Sequence, residues 1–199
     1  MRQLALPLSP PGEPTLENFV PGANAELLAR LRALLEGRLA ESVLYLWGTP
    51  GSGRTHLLRA CARAARAVAD DVETLDETAQ IALVTAIDAA RAEGGTVLAA
   101  GAAPPARLRL RADLRSRLAW GLVYEVKPLD DEQRAAYLRA EGARRGLRVG
   151  DEVVRYLLAH ARRDLPTLVA LMERLDRTAL ERQRPLTLAL VREALRTLA

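Results

Sequence analysis

Cysteine occurs once in the 199 residues, at Cys61, so an internal disulfide is excluded and the chain suits a reducing compartment. With no Cys or His partner at ligand spacing, zinc-cluster chemistry is excluded too. His56 and His160 stand alone on helical stretches and read as packing or surface residues. No Ser-His-Asp arrangement is recognisable. Long apolar runs are also missing: nothing approaches the ~20 residues that cross a bilayer. In MRQLALPLSPPGEP the apolar patch is cut by Pro7, too short for a signal peptide or an anchor. A cytoplasmic chain with no membrane partner is the expectation. Lysine is nearly absent, Lys127 being the only one among 29 basic residues, and the abundance of Arg and Ala reads as a compositional bias.

The length is enough for one compact domain, or one domain with a small appended lobe. A net charge of +4 is compatible with an acidic partner such as nucleic acid without being diagnostic. Residues 9 to 14, SPPGEP, form a proline-rich linker behind a short N-terminal segment. Helical spacing of Leu27, Leu28, Leu31, Leu34 and Leu35 predicts a helix from about Ala23 to Glu36. Val43 to Trp47 predicts a buried strand, then a loop, then a helix from Thr55 to about Arg66. Asp76 caps a helix running from Glu77 to about Ala92. Strands at Thr96–Gly101 and Leu122–Val126 flank the helix-like RADLRSRLAW. Alternation of strands and helices predicts a parallel α/β sheet. After Pro128 only helices follow: Asp130 to about Arg144, one from Asp151, one over Leu165–Arg182, and one capped by Thr187. This divides the chain into residues 1–14 (tag and linker), 15–128 (α/β domain) and 129–199 (helical lid).

Residues 48 to 55, GTPGSGRT, lie between a strand and a helix, the setting that separates a phosphate loop from a chance glycine pattern. Gly48, Gly51 and Gly53 permit a turn whose backbone N–H groups cradle phosphates, with Ser52 among them, and Thr55 can place a hydroxyl on Mg²⁺. Arg54 stands where the pattern has Lys. It keeps the positive charge but replaces a compact ammonium with a larger planar fork, so binding survives better than turnover. A carboxylate for the metal is sought in AVADDVE, as Asp70 beside Asp71. Two readings stay open: the acidic end of a short strand, or two surface aspartates after a helix. At the end of TVLAAG, where a polar sensor of the γ-phosphate is wanted, Gly101, Ala102 and Ala103 offer no polar side chain. Arg115 and Arg117 precede a strand in DLRSRLAWGL.

Together QLALPL (3–8), ENFVPGANAELLARL (17–31), YLWGTPGSGRTHLL (45–58), DLRSRLAWGLVYEVKPLDDE (113–132) and RLDRTALERQRPLTLALVREAL (174–195) resemble the AAA+ ATPase family. They are most similar to its DnaA-related regulatory-inactivator branch, where Arg at the loop position is usual. The resemblance implies an AAA+ parallel sheet with a C-terminal helical lid. It also implies ADP as the bound nucleotide, with ATP as the alternative, and Mg²⁺ on Thr55 and Asp70. The implied partners are DnaA and the β sliding clamp of DNA polymerase III, with DNA reached through the clamp and homo-oligomerisation left open. Gln3, Leu4, Leu6, Pro7 and Leu8 resemble the clamp-binding peptide, and Arg117 falls on the arginine-finger position.

Three departures accompany the resemblance. The stretch from Thr55 to Asp70 is too short for a strand and helix that relatives carry, leaving a sheet of about four strands. The sensor is replaced by alanines, and the nucleotide-reaching lid arginine falls on Pro166. The expected function is therefore negative regulation of replication initiation, by stimulating ATP hydrolysis in DnaA with little turnover in this chain. An active AAA+ ATPase that loads or remodels replication factors is the alternative, and a direct DNA binder the third reading.

Overall fold

The computed structural model describes residues 13–160, 165–182 and 186–196. Gln3, Leu4, Leu6, Pro7 and Leu8 lie outside them. Contacts divide the chain after Pro128, and Glu13–Pro128 forms one compact unit.

In that unit α1 (Ala25–Leu35), β1 (Val43–Trp47), α2 (Arg54–Cys61), β2 (Ala67–Ala69), α3 (Glu77–Glu93), β3 (Val97–Gly101), α4 (Ala112–Leu118) and β4 (Leu122–Glu125) follow in order. The strands form one sheet, β2-β3-β1-β4, and all three pairings are parallel. The apolar run VLYLW follows from this layout, because a central parallel strand is covered on both faces and alternation with polar residues is lost. Leu44 and Leu46 pack with Leu28, Leu31 and Leu57 of α1 and α2. Val43 and Tyr45 pack with Ile87 of α3 and Leu114 of α4. A two-residue period thus assigns the residues of β1 alternately to one of two cores, with helices on either side of the sheet.

Helix α2 stops at Cys61, short of the expected Arg66. Ala62 and Ala64 donate to the carbonyls of Arg59 and Cys61, bonds that tighten the turn, and Arg66 N already donates to Thr96 O at 2.9 Å. The chain is drawn off the helix into the sheet, where β2 pairs in register with β3 (Ala67↔Val97, Ala69↔Ala99). The strand reading of AVADDVE is thereby realised, and Asp70 and Asp71 follow directly from the end of β2. The sheet has four strands, and β1 reaches β2 through α2 alone.

Asn24, before α1, is 3% exposed. Its amide donates to Lys127 O at 2.9 Å and accepts from Lys127 N at 2.8 Å. These bonds tie the start of the unit to the chain leaving β4.

From Leu129 onward lie α5 (Asp131–Arg144), α6 (Asp151–His160), α7 (Leu165–Arg182) and α8 (Leu188–Arg196). Leu138, Leu157, Leu168, Met172, Leu175 and Val191 make a core of their own. Asp130 and Gln133 form a reciprocal capping box at the start of α5, satisfying two otherwise orphaned donors. Pro166 sits in the first turn of α7, where a missing N–H costs nothing. Among the described residues no helix is long and apolar enough to cross a membrane.

Candidate functional site

The carboxyl end of β1 leads into the glycine loop and the amino end of α2. Gly51 (φ +79°) and Gly53 (φ +103°) adopt left-handed conformations that side chains rarely tolerate. At Gly53 a Cβ would also lie 2.7 Å from Cε2 of Phe19. At Gly48 it would lie 2.7 Å from Val126 O and 2.8 Å from Ser52 Oγ. The loop is held tightly between its neighbours, with the first-turn N–H groups of α2 free of intrahelical partners, the usual arrangement for receiving an anion.

The end of β2 meets this loop. Thr55 Oγ1 donates to Asp70 Oδ2 at 2.6 Å, and Arg54 Nη2 donates to Asp71 Oδ1 at 3.2 Å. Asp70 Oδ1 accepts from Asp71 N at 2.9 Å. Asp71 is the one non-glycine residue with positive φ (+43°) among those described, a strained conformation of the kind that collects at functional sites. Thr55 and Asp70 offer one hydroxyl and one carboxylate, an open set suited to Mg²⁺, which keeps waters and phosphate oxygens as its other ligands. No group of three or more His, Cys, Asp or Glu among the described residues could hold a metal by itself.

Glu73 is a member of the site that the sequence reading missed. A 3₁₀ turn at Val72–Thr74 folds it back onto the end of β3, where its Oε1 accepts from Ala102 N at 3.1 Å. Tyr45 donates its hydroxyl to Ala103 O at 2.8 Å. A Cβ on Gly101 would collide with that hydroxyl and come within 2.9 Å of Glu73 Oε2. The space beside Gly101, just before the alanines at the expected sensor position, is thus filled by Tyr45 and Glu73. Burial raises the Tyr45 hydroxyl well above its ordinary pKa, the Glu73 carboxylate adds to the rise, and the Arg54 charge opposes it. The spacing DDVE was the available signal for Glu73, but only the turn brings it back to β3.

Ser52 Oγ, Arg54 Nη1 and Glu73 Oε2 are buried without a hydrogen-bond partner. Orphaned buried polar atoms are uncommon and call for an explanation. Two donors beside a glycine cradle and open helix N–H groups fit the phosphates of a nucleotide. Gly48, Gly51, Ser52, Gly53, Arg54 and Thr55 would hold them.

Arg117 has other partners. Its Nε donates to Asp88 Oδ1 at 2.7 Å, its Nη2 to Asp88 Oδ2 at 2.9 Å, and its Nη1 to Asp113 O at 3.3 Å. Its Cζ lies 5.2 Å from the ring centroid of Trp120, over which Arg91 also lies, at 4.6 Å. The Asp88 bond raises the Arg117 pKa and lowers that of Asp88. None of these partners belongs to the glycine loop. Arg115 is exposed on the same helix.

Residues 131–195 match the family model described as Hda, lid domain. The fold is that of domain III of the Thermotoga maritima replication initiation protein DnaA, with a TM-score of 0.77 at 20% identity, covering 96% of this chain and 98% of that one. A structure of the replication initiator DnaA bound to AMPPCP and single-stranded DNA matches with a TM-score of 0.71 at 21% identity, covering 85% and 67%. The Thermotoga maritima RuvB Holliday junction branch migration motor matches with a TM-score of 0.70 at 16% identity, covering 92% and 72%.

Proposed function

We propose, for this DnaA-related, Hda-like AAA+ protein, a role as negative regulator of replication initiation that makes ATP-bound DnaA hydrolyse its nucleotide. The single observation carrying this reading is the joining of a lid of the Hda family to a sheet with the fold of DnaA domain III. In this reading the chain holds ADP, or ATP, in the loop from Gly48 to Thr55, with Mg²⁺ on Thr55 and Asp70. That a DnaA of the same fold was solved with AMPPCP supports a nucleotide there.

The chemistry in trans falls to Arg117. An arginine fork can hold an equatorial oxygen of a γ-phosphate bound by DnaA and stabilise the charge that develops as the bond to the leaving group lengthens, worth ~10³ or more in rate. Gln3, Leu4, Leu6, Pro7 and Leu8 are the proposed contact with the β sliding clamp, so that the activator acts where DNA has been loaded. Little turnover is expected in cis, because Gly101, Ala102 and Ala103 carry no polar side chain toward a γ-phosphate and Glu73 adds negative charge at that end of β3.

Single-turnover hydrolysis of ATP by DnaA, with this protein and a DNA-loaded clamp, tests the reading. Stimulation should fall by on the order of 10³ in Arg117→Ala if it supplies the whole finger effect, and less in Arg115→Ala. Full stimulation by Arg117→Ala would end the in-trans reading. The joint substitution of Gln3, Leu6 and Leu8 by Ala should abolish co-elution with the clamp. The second reading, an active ATPase, draws on the Thr55–Asp70 contact. It requires turnover by the protein alone near 1 s⁻¹, the low end for efficient phosphoryl transfer.

A further inference from the structure

The arginine assigned to act on another protein's nucleotide is not a free side chain. A guanidinium has five N–H groups. Asp88 takes the Nε proton and one on Nη2, and the Asp113 carbonyl takes one on Nη1. One N–H remains on each terminal nitrogen. Asp88 therefore engages Arg117 from the side and leaves the two terminal nitrogens, the end that can meet an oxyanion, each with a proton to give. The Arg117 side chain is 23% exposed, so it is neither sealed in the core nor loose in solvent. Trp120 lies within cation–π distance as a further restraint.

From this geometry we propose that Asp88 is a positioning residue for the in-trans reaction, holding the Arg117 guanidinium by its side edge so that its terminal N–H pair is presented to the partner's γ-phosphate. The proposal rests on the finger reading of Arg117. An unrestrained arginine would lose the rotamer freedom of a long side chain on meeting the phosphate. Asp88, on α3 and 29 residues away in the chain, has already imposed that order. Exposed pairs of this kind add little to stability, and Asp88 is 46% exposed. Its removal should leave the fold intact.

The test is single-turnover hydrolysis by ATP-bound DnaA, with a DNA-loaded clamp, across a titration of the full chain, for the parent, Asp88→Ala, Asp88→Asn, Asp88→Glu, Arg117→Ala and the double variant Asp88→Ala/Arg117→Ala. Asp88→Ala should lower the saturating rate by on the order of 10-fold, since small misplacement of a catalytic group costs up to ~10². The concentration giving half-maximal effect should stay unchanged, with Asp88→Asn intermediate and Asp88→Glu partly restored. In the Arg117→Ala background the Asp88 substitution should have no further effect, the coupling expected of residues in one network. If Arg117→Ala loses stimulation while Asp88→Ala keeps or raises it, the positioning role is overturned and the finger reading stands. If Arg117→Ala keeps full stimulation, the finger reading fails and the proposal falls with it.

Discussion

Thr55 and Asp70 meet at 2.6 Å, hydroxyl to carboxylate, joining the first turn of α2 to the end of β2 across 15 residues of sequence. The bond aligns the two oxygens that could share a Mg²⁺. Thr55→Val, which keeps the shape and removes the hydroxyl, and Asp70→Asn should each abolish the Mg²⁺-dependent part of ADP binding. Calorimetry with Mg²⁺ and with chelator measures that difference. A difference retained in both variants would show that neither oxygen serves the metal.

Arg54 pairs with Asp71 through Nη2 at 3.2 Å and keeps Nη1 without a partner. Asn tolerates the left-handed backbone of residue 71, so Asp71→Asn removes the competing charge without straining the turn. A partly exposed pair is worth roughly 0.2–1 kcal/mol, so ADP binding should tighten by no more than about fivefold. Weaker binding in the calorimeter would mean that Asp71 orients Arg54 for phosphate.

Gly53→Ala should destabilise the α/β unit more than Gly37→Ala does. Both positions are left-handed, at φ +103° and +66°, but nothing lies within 4 Å of a Cβ at Gly37, whereas Phe19 stands 2.7 Å from one at Gly53. The control carries the conformational cost alone, about 1 kcal/mol. Overpacking should add roughly 1–3 kcal/mol at Gly53. Urea midpoints of the two variants give the comparison, and equal losses would remove Phe19 from the account.

Glu141 is nearly buried in the lid unit, accepting from Arg144 Nε and Nη2 at 3.0 and 2.7 Å and from Arg145 Nε at 2.9 Å. The Arg144 bonds, with Arg145 behind them, hold its pKa below the ordinary value against the opposing effect of burial. A carboxylate depressed in the folded state stabilises above its unfolded pKa of about 4.3 and loses that contribution as pH falls toward the folded value. Stability of the parent should therefore decline on acidification below about pH 4.3, and Glu141→Gln should flatten that part of the curve. Urea midpoints between neutral and acid pH provide the check; identical slopes would refute it.

Cys61 is fully buried in the core under α2, and burial pushes its thiol up to about 11. Thiolate is the reactive form. Iodoacetamide at neutral pH should leave the folded protein unmodified and alkylate it fully in urea, as read by mass. Rapid modification of the native protein would show that α2 opens locally.

Much of this arrangement is local and was legible in the residues. VLYLW announces a strand covered on both faces, GTPGSGRT a turn that needs glycine, and the leucine spacing of α1 a helix with one buried side, because each depends on neighbours a few positions away. Tertiary structure alone decided the rest. The end of α2 is drawn back to Cys61 by pairing with β3 through Arg66 and Thr96. Glu73 reaches Ala102, Arg117 reaches Asp88, and Asn24 clamps Lys127, across 29, 29 and 103 residues respectively. Such pairings depend on how elements pack across the sheet and on which polar atoms are left needing partners once the cores have closed. Periodicity along one element carries no record of the side chain that will face it from another.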